Sequence, residues 1–293
     1  MNPLVSVMMP CCNSARSLPW ALASLVAQTY EDWECIFVDD GSTDDSVAIA
    51  RSLSDPRIRI FRFEANRGRG AARQFALNQA NGKYLCMLDA DDWMYPQRIQ
   101  RQVDVLEREP NLALVSAGMV VIDKHNEICG VRRTPKQNRT TFPPMSQLSM
   151  PPVPFAASML RMEAAKLSRF DPRFRRFEDV DFLLPILMAH PYSLLLQPLY
   201  AYAEYGPVNL AAALTGYRYS ALMFLKHRKS SSLRSASNCF TIGIKSAIYC
   251  VSSGLGASEW LVRRRSRAPL PDEFENYNKA RGTIGAQLSR CFG

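Results

Sequence analysis

Leu88-Asp89-Ala90-Asp91-Asp92-Trp93 places three carboxylates directly after the apolar run Tyr84-Leu85-Cys86-Met87-Leu88. Carboxylates gathered this closely repel one another, and a bound cation relieves the repulsion. Mg²⁺ and Mn²⁺ prefer such hard oxygen ligands. Side chains alternate along a strand, so Asp89 and Asp91 share a side if the strand continues. A second acidic strand end, Val38-Asp39-Asp40-Gly41-Ser42, comes earlier in the chain. Open α/β sheets bind ligands beyond the carboxyl ends of their strands. Two acidic ends therefore point to a site for a metal ion and a nucleotide.

Around these ends the first half of the chain alternates strand and helix signals. Leu4–Met9 is a short apolar run that ends at Pro10, and Leu18–Ala27 has helical spacing. Strand signals follow at Glu34–Val38, Arg57–Phe63, Tyr84–Leu88 and Leu112–Ile122, and helix signals at Asp44–Ser54, Arg69–Ala80 and Pro96–Arg108. Repeated units of this length predict an α/β fold, a mostly parallel sheet with helices on both faces. From Lys124 to Pro154 the pattern breaks into a Pro-rich stretch, read as a loop. It resumes at Ala156–Lys166, at a helix over Asp179–Ala189 that Pro185 should kink, and at a strand over Leu194–Tyr202. Tyr217–Lys229, Ser237–Val251 and Asp272–Gly293 read as helices.

Composition narrows the class. The 293 residues are 47% hydrophobic, ordinary for a globular chain. Eight cysteines without a CxxC pair argue against a zinc framework and suggest a reducing compartment. The first residues read as a strand rather than a signal peptide, and no window is long and apolar enough to span a membrane. A cytoplasmic location is the expectation. The net charge of +9 is uneven: residues 1–205 hold 23 Lys+Arg and 23 Asp+Glu, and residues 206–293 hold 13 and 4. A neutral body with a basic, mostly helical C-terminal extension suggests that the extension meets an anionic surface.

Ser42, Thr43 and Asp44 suit a helix cap after the turn at Gly41, but a cap does not explain both Asp39 and Asp40. Asn66-Arg67-Gly68-Arg69-Gly70-Ala71-Ala72-Arg73 is glycine-rich and basic, yet Arg73 stands where a dinucleotide fingerprint needs its third glycine. Glu178-Asp179 opens a helix, where acids favour the dipole, and a carboxylate there is also a candidate general base. His125, His190 and His227 lack ligand spacing, and no Gly-x-Ser-x-Gly elbow occurs.

Taken in order, these motifs resemble the family 2 glycosyltransferases, an inverting family with the GT-A fold. The resemblance runs through Val5–Pro10 with Asn13, Leu22–Gln28, Val38–Asp44, Asn66-x-Gly68 with Ala72-Arg73, Gly82-Lys83-Tyr84, Leu88–Asp92 and Phe177-Glu178-Asp179. It implies a catalytic domain over 1–205: a nucleotide-sugar-binding half at 1–123, the Pro-rich loop at 124–155 and an acceptor half at 156–205. It further implies that Pro10, Asn13 and Asp40 line a nucleoside pocket and that Arg73 contacts the base or diphosphate. Asp89 and Asp91 would form a DxD motif that holds a divalent cation, Mn²⁺ or Mg²⁺, on the nucleotide-sugar donor. Asp179 would deprotonate the hydroxyl acceptor. The implied reaction is metal-dependent sugar transfer, from a UDP-sugar in the first place, to a glycan or lipid-linked acceptor in surface glycan synthesis.

Two departures stand out. The family's Ala-Arg-Asn is Ala72-Arg73-Gln74 here, and Tyr202-Ala203-Glu204-Tyr205 lacks the basic residues often found at that point. A sugar nucleotidyltransferase would show a basic Gly-rich loop where Pro10-Cys11-Cys12-Asn13-Ser14 stands, and a non-catalytic sugar-nucleotide-binding protein would show damaged acidic motifs. In the extension, residues 237–267 combine an apolar helical face (Phe240, Ile244, Ala247/Ile248, Val251) with Trp260 and the basic run Arg263–Arg267. That pattern fits peripheral docking on anionic lipid or a helical cap on the catalytic domain. No nucleic-acid-binding module accompanies the charge.

Overall fold

The computed structural model describes residues 2–132, 140–204, 210–228, 232–254 and 266–293. The first half follows the predicted alternation: β1 Val5–Cys11, α1 Leu18–Val26, β2 Trp33–Asp39, α2 Ser46–Ser52, β3 Ile58–Arg62, α3 Arg69–Gln79 and β4 Tyr84–Met87. The strands lie parallel in the order β3-β2-β1-β4. β1, β2 and β4 are buried along their whole length, as expected of strands covered on both faces.

Contrary to expectation, β1 does not stop before Pro10. Leu88 N–H donates to Met8 O on the β4 side and Asp40 N–H donates to Cys11 O on the β2 side. By alternation Pro10 faces β4, whose last residue is Met87. The missing proline N–H therefore leaves no ladder acceptor unmatched, and the strand continues. Gly82 is where the chain re-enters the sheet: a Cβ there would stand 2.6 Å from Ser6 N and 2.8 Å from Leu4 O.

The second half holds β5 Trp93–Met94, α4 Arg98–Arg108, β6 Leu114–Ile122, β7 Ile128–Arg132, β8 Thr141–Phe142, β9 Met159–Arg161, α5 Met162–Ala165, α6 Glu178–Ala189 and β10 Tyr192–Ala203. β9 runs antiparallel between β4 and β6, and β10 runs parallel along β6. α6 passes through Pro185 as one helix. The stretch read as a loop contains two strands. β7 folds back on β6 around a tight turn, where Asn126 has φ 54° and Asp123 Oδ1 accepts from the His125 and Glu127 N–H groups. Asn tolerates that left-handed conformation, so Asp123–Asn126 is the turn signal that the Pro-rich reading passed over. β8 is short and pairs with β10. Pro135 lies outside the described residues.

Arg98 is fully buried and locks these pieces together. Its guanidinium donates to Met87 O at 2.8 Å, Ala156 O at 2.9 Å and Ser158 O at 3.1 Å. The end of β4, just before the acidic run, is thereby fixed to α4 and to the segment leading into β9.

The C-terminal residues form α7 Leu210–Lys226, α8 Ser232–Gly254, β11 Ser266–Arg267 and α9 Pro271–Phe292. They do not pack as one appendage. Met223 and Phe224 of α7 share a cluster with Leu148, Phe174 and Leu184. α9 returns to α1, and its Tyr277, Ala280 and Ile284 belong to the same core as Val5 and Val7.

Glu34 ties the first four strands together at their amino ends. It accepts from Ser6 Oγ (2.8 Å), Asn81 N–H (2.7 Å) and Arg59 Nη1 (3.0 Å). Burial alone would raise its carboxyl, but these donors outweigh burial and hold it below the usual carboxylate value. Glu34→Gln should cost about 1–3 kcal/mol by urea denaturation at neutral pH. The folded carboxyl is depressed, so its stabilisation is complete above the unfolded value of about 4.3 and is lost as pH falls through the lower folded value. The gap between wild type and Glu34→Gln should close in that acid range.

Candidate active site

A cavity of about 410 Å³ opens beyond the carboxyl ends of β1, β2 and β4. Pro10, Asp40, Asp89 and Asp91 line it, together with the guanidinium-bearing Arg67, Arg69 and Arg175. Its size suits a small ligand. Asn13 lines an adjoining cavity of about 750 Å³, which shares Cys12, Ser14 and Asp91 with the first. Arg73 and Asp179 are wall residues of neither.

The two acids at the end of β2 have separate tasks. Asp39 is fully buried, accepts from Ser42 N–H at 3.2 Å and pairs with Arg62 Nε at 3.2 Å. Asp40 accepts from the Arg67 and Gly68 N–H groups at 2.6 and 2.9 Å. This contact fixes the loop that presents Arg67 and Arg69 to the cavity. Gly41 is required there: its φ is +73°, and a Cβ would stand 2.7 Å from Asn66 N. Asn13 Oδ1 accepts from Thr43 N–H at 2.9 Å, which joins the β1 and β2 loops.

The acidic run is a turn, not a strand extension. β4 ends at Met87, and Asp92 N–H donates to Asp89 O at 3.1 Å. Asp89 and Asp91 still reach the same cavity, but the turn brings them there rather than strand alternation. Asp91 is exposed at the junction of the two cavities. Desolvation on the cleft floor and the adjacent Asp89 charge push its carboxyl above the usual range. Asp92 turns inward instead. It is buried, its Oδ1 accepts from Ala203 N–H at 2.7 Å, and burial followed by the charges of Asp91 and Asp89 drives its carboxyl well up. Asp92 thus anchors β10 to the acidic turn.

Arg73 is the buried link between the two acidic motifs. Its Nη1 donates to Glu178 Oε1 at 2.8 Å and its Nη2 to Asp89 Oδ1 at 3.0 Å. Burial would lower its pKa, but the carboxylates of Asp89, Glu178 and Asp179 outweigh that and hold the guanidinium charged. The cations that line the cavity are Arg67, Arg69 and Arg175, whereas the Arg73 guanidinium is buried behind it. Arg67 and Arg69 stand in the basic glycine-rich stretch. Arg175 sits in the basic run before Glu178, a signal the sequence reading did not use. Gln74, at the departure from the family pattern, accepts from Phe170 N–H at 2.9 Å and ties α3 to the loop before α6.

At the start of α6, Phe177 adopts φ 63°, a left-handed conformation that a bulky residue rarely takes and that clusters at functional sites. Glu178 is buried and its Oε1 is shared by Arg69 and Arg73. Asp179 is half-buried, with Oδ1 accepting from Val180 N–H at 2.8 Å. Of this pair, Asp179 is the more exposed. Just beyond β10, Glu204 pairs with Arg132 at 2.9 Å, and Tyr205 lies outside the described residues.

Among the described residues no cluster of three or more His, Cys, Asp or Glu side chains could enclose a metal. The site instead offers two hard carboxylates, Asp89 and Asp91, at an open cavity. That donor set fits a cation that completes its shell with phosphate oxygens and water rather than one caged by protein. A Mg²⁺ or Mn²⁺ ion would be held by Asp91 and Asp89.

Arg73→Ala should destabilise the fold by about 3–5 kcal/mol, because Asp89 and Glu178 lose the charge between them. Arg73→Lys should recover only part of that loss, since an ammonium cannot reproduce the forked contact. Urea midpoints of the three proteins measure both effects.

Residues 6–168 match the family model described as Glycosyl transferase family 2. The chain is 32% identical over 191 residues to the putative glycosyltransferase EpsE of Bacillus subtilis, covering 62% of this chain and 66% of that protein. It is 30% identical over 127 residues to the UDP-Glc:alpha-D-GlcNAc-diphosphoundecaprenol beta-1,3-glucosyltransferase WfgD of Escherichia coli, covering 43% of this chain and 49% of that one. It therefore spans about two thirds of the first relative and half of the second. S. aureus TarS, solved with UDP, superposes with a TM-score of 0.63 at 20% identity over 80% of this chain and 68% of that one. A mannosyltransferase from Pyrobaculum calidifontis, solved with GDP-Man and Mn²⁺, gives 0.56 at 16% identity over 99% and 87%. The sheet order, the acidic turn and these matches agree: the chain belongs to glycosyl transferase family 2 and has the GT-A fold.

Proposed function

We propose that this chain transfers a sugar from a UDP-sugar to a hydroxyl acceptor, with inversion and with a divalent cation, in surface glycan synthesis. The observation that carries this reading is the cavity in which Asp40, Asp89 and Asp91 meet Arg67, Arg69 and Arg175 at the strand ends. Carboxylates for a cation and guanidiniums for phosphates in one small cavity match a nucleoside diphosphate. TarS structures with UDP and with UDP-GlcNAc support a uridine donor. The WfgD match supports a lipid-linked acceptor, which would place the protein peripherally on the inner face of the cytoplasmic membrane.

In this reading Pro10 and Asp40 wall the nucleoside, Asn13 braces the loop beside it, and Arg67, Arg69 and Arg175 face the diphosphate. The half-buried Asp179 carboxylate takes the proton of the acceptor hydroxyl. The freed oxygen attacks the anomeric carbon opposite the leaving group, the carbon–oxygen bond to the diphosphate breaks, and the nucleoside diphosphate departs. A cation on Asp89 and Asp91 would supply leaving-group stabilisation. Arg73 acts as a positioning residue, since it holds Asp89 and Glu178 without reaching the cavity.

Calorimetric titration with UDP, GDP and dTDP, with and without Mn²⁺, tests the donor assignment. The expected result is Mn²⁺-dependent binding of UDP that weakens at least about tenfold in Asp91→Asn. Equal UDP binding by the two proteins would remove Asp91 as a metal ligand. Asp179→Asn should retain UDP affinity and lose about 10²–10⁴ in turnover. Unchanged turnover would exclude it as the base.

A further inference from the structure

The sequence marks Phe240, Ile244, Ala247 and Ile248 as one apolar helical face, and in α8 that face points outward. Leu233 is 87% exposed, Phe240 72%, Ile244 47% and Ile248 53%. The opposite face makes the packing contacts. Ile242 and Cys239 join the α7 cluster, Tyr249 is buried, Ser235 Oγ donates to Phe224 O at 2.7 Å, and Asn238 Nδ2 donates to Leu148 O at 2.7 Å. A surface helix normally turns polar residues to solvent, so an apolar outer stripe calls for a partner.

Charge identifies the partner. Residues 206–254 hold six Lys and Arg and no Asp or Glu. Arg218 and Lys245 are exposed, and so are Leu222 and Leu225 of α7. Two copies meeting through this surface would bring like charges together, whereas anionic headgroups complement both its charge and its apolar stripe. Among the described residues no helix is long and apolar enough to cross a membrane. We propose that the α7–α8 pair is a membrane-docking surface that lays the outer face of α8 in the headgroup region of an anionic leaflet.

The surface is fastened to the site. Lys226 Nζ and His227 Nε2, at the end of α7, contact the buried Asp181 of α6 at 2.6 and 2.8 Å. Arg176 Nη1 donates to Ala212 O at 3.2 Å. α6 also carries Asp179, so docking would fix the proposed base relative to the leaflet. That consequence rests on the lipid-linked acceptor proposed above; the docking itself does not. Trp260 and Arg263–Arg265 lie outside the described residues.

Co-sedimentation of the full chain tests the proposal, using vesicles of phosphatidylcholine alone and of phosphatidylcholine with phosphatidylglycerol. Wild type should pellet with the anionic vesicles and less with the neutral ones. The double variant Phe240→Ser/Ile244→Ser should lower the partition coefficient by about tenfold or more. Lys245→Glu, which keeps the apolar stripe, should weaken binding to the anionic vesicles only. Wild type remaining in the supernatant, or variants binding as tightly as wild type, would overturn the proposal. So would a wild-type dimer in sedimentation velocity that the double variant converts to monomer. UDP titration of the same preparations separates a failure of docking from a failure of the donor reading.

Discussion

A single buried cation holds the two acidic motifs of this protein in register. The Arg73 guanidinium lies between Asp89, at the end of β4, and Glu178, at the start of α6, segments far apart in the chain. Glu178 is buried, and a buried carboxylate left without a cation is costly. Arg69 adds a second contact to Glu178 from the cavity side. Asp91, two residues beyond Asp89, lines the cavity, and Asp179, one residue beyond Glu178, is half-buried at the start of α6. In the proposed reaction these are the metal ligand and the base.

The same residue type takes opposite tasks according to its surroundings. Asp39 and Asp40 are adjacent, yet Asp39 is sealed against Arg62 while Asp40 fixes the loop that carries the cavity's guanidiniums. Asp91 and Asp92 are adjacent too. Asp91 opens on both cavities, and Asp92 is buried against the β10 backbone. Each pair combines a group that faces the ligand space with one that holds the scaffold. Function needs both, since a carboxylate at an open cleft is useful only where a rigid neighbour sets its position.

The C-terminal helices serve the fold in two different ways. α9 completes the main core and steadies the turn beside the acidic motif: Tyr277 Oη donates to Asn126 O at 2.6 Å, and Trp93 Nε1 donates to Asn126 Oδ1 at 3.2 Å. α7 and α8 instead extend α6 outward and keep apolar side chains in solvent. A basic extension read as one unit from its charge is thus two structures with different partners.

Much of this was legible in the residues. Alternating apolar runs gave the strand and helix order, because one face or both must leave water and the period of burial is set by the backbone. The acidic strand ends marked the place where the cavity opens, because charge concentrated at that point has few structural excuses. The sequence could not separate Asp39 from Asp40 or Asp91 from Asp92, since burial of a side chain depends on segments that arrive from elsewhere. It did not show that Arg73 is buried between Asp89 and Glu178 or that Arg175 lines the cavity, since whether a guanidinium faces a carboxylate or a cavity is settled by packing. It missed β7, whose turn rests on Asn126 and on the support of α9. Local chemistry determined the elements and the strand ends at which the cavity opens. Tertiary structure alone decided which charges are buried against one another and which line the cavity, because that depends on distances no linear pattern contains.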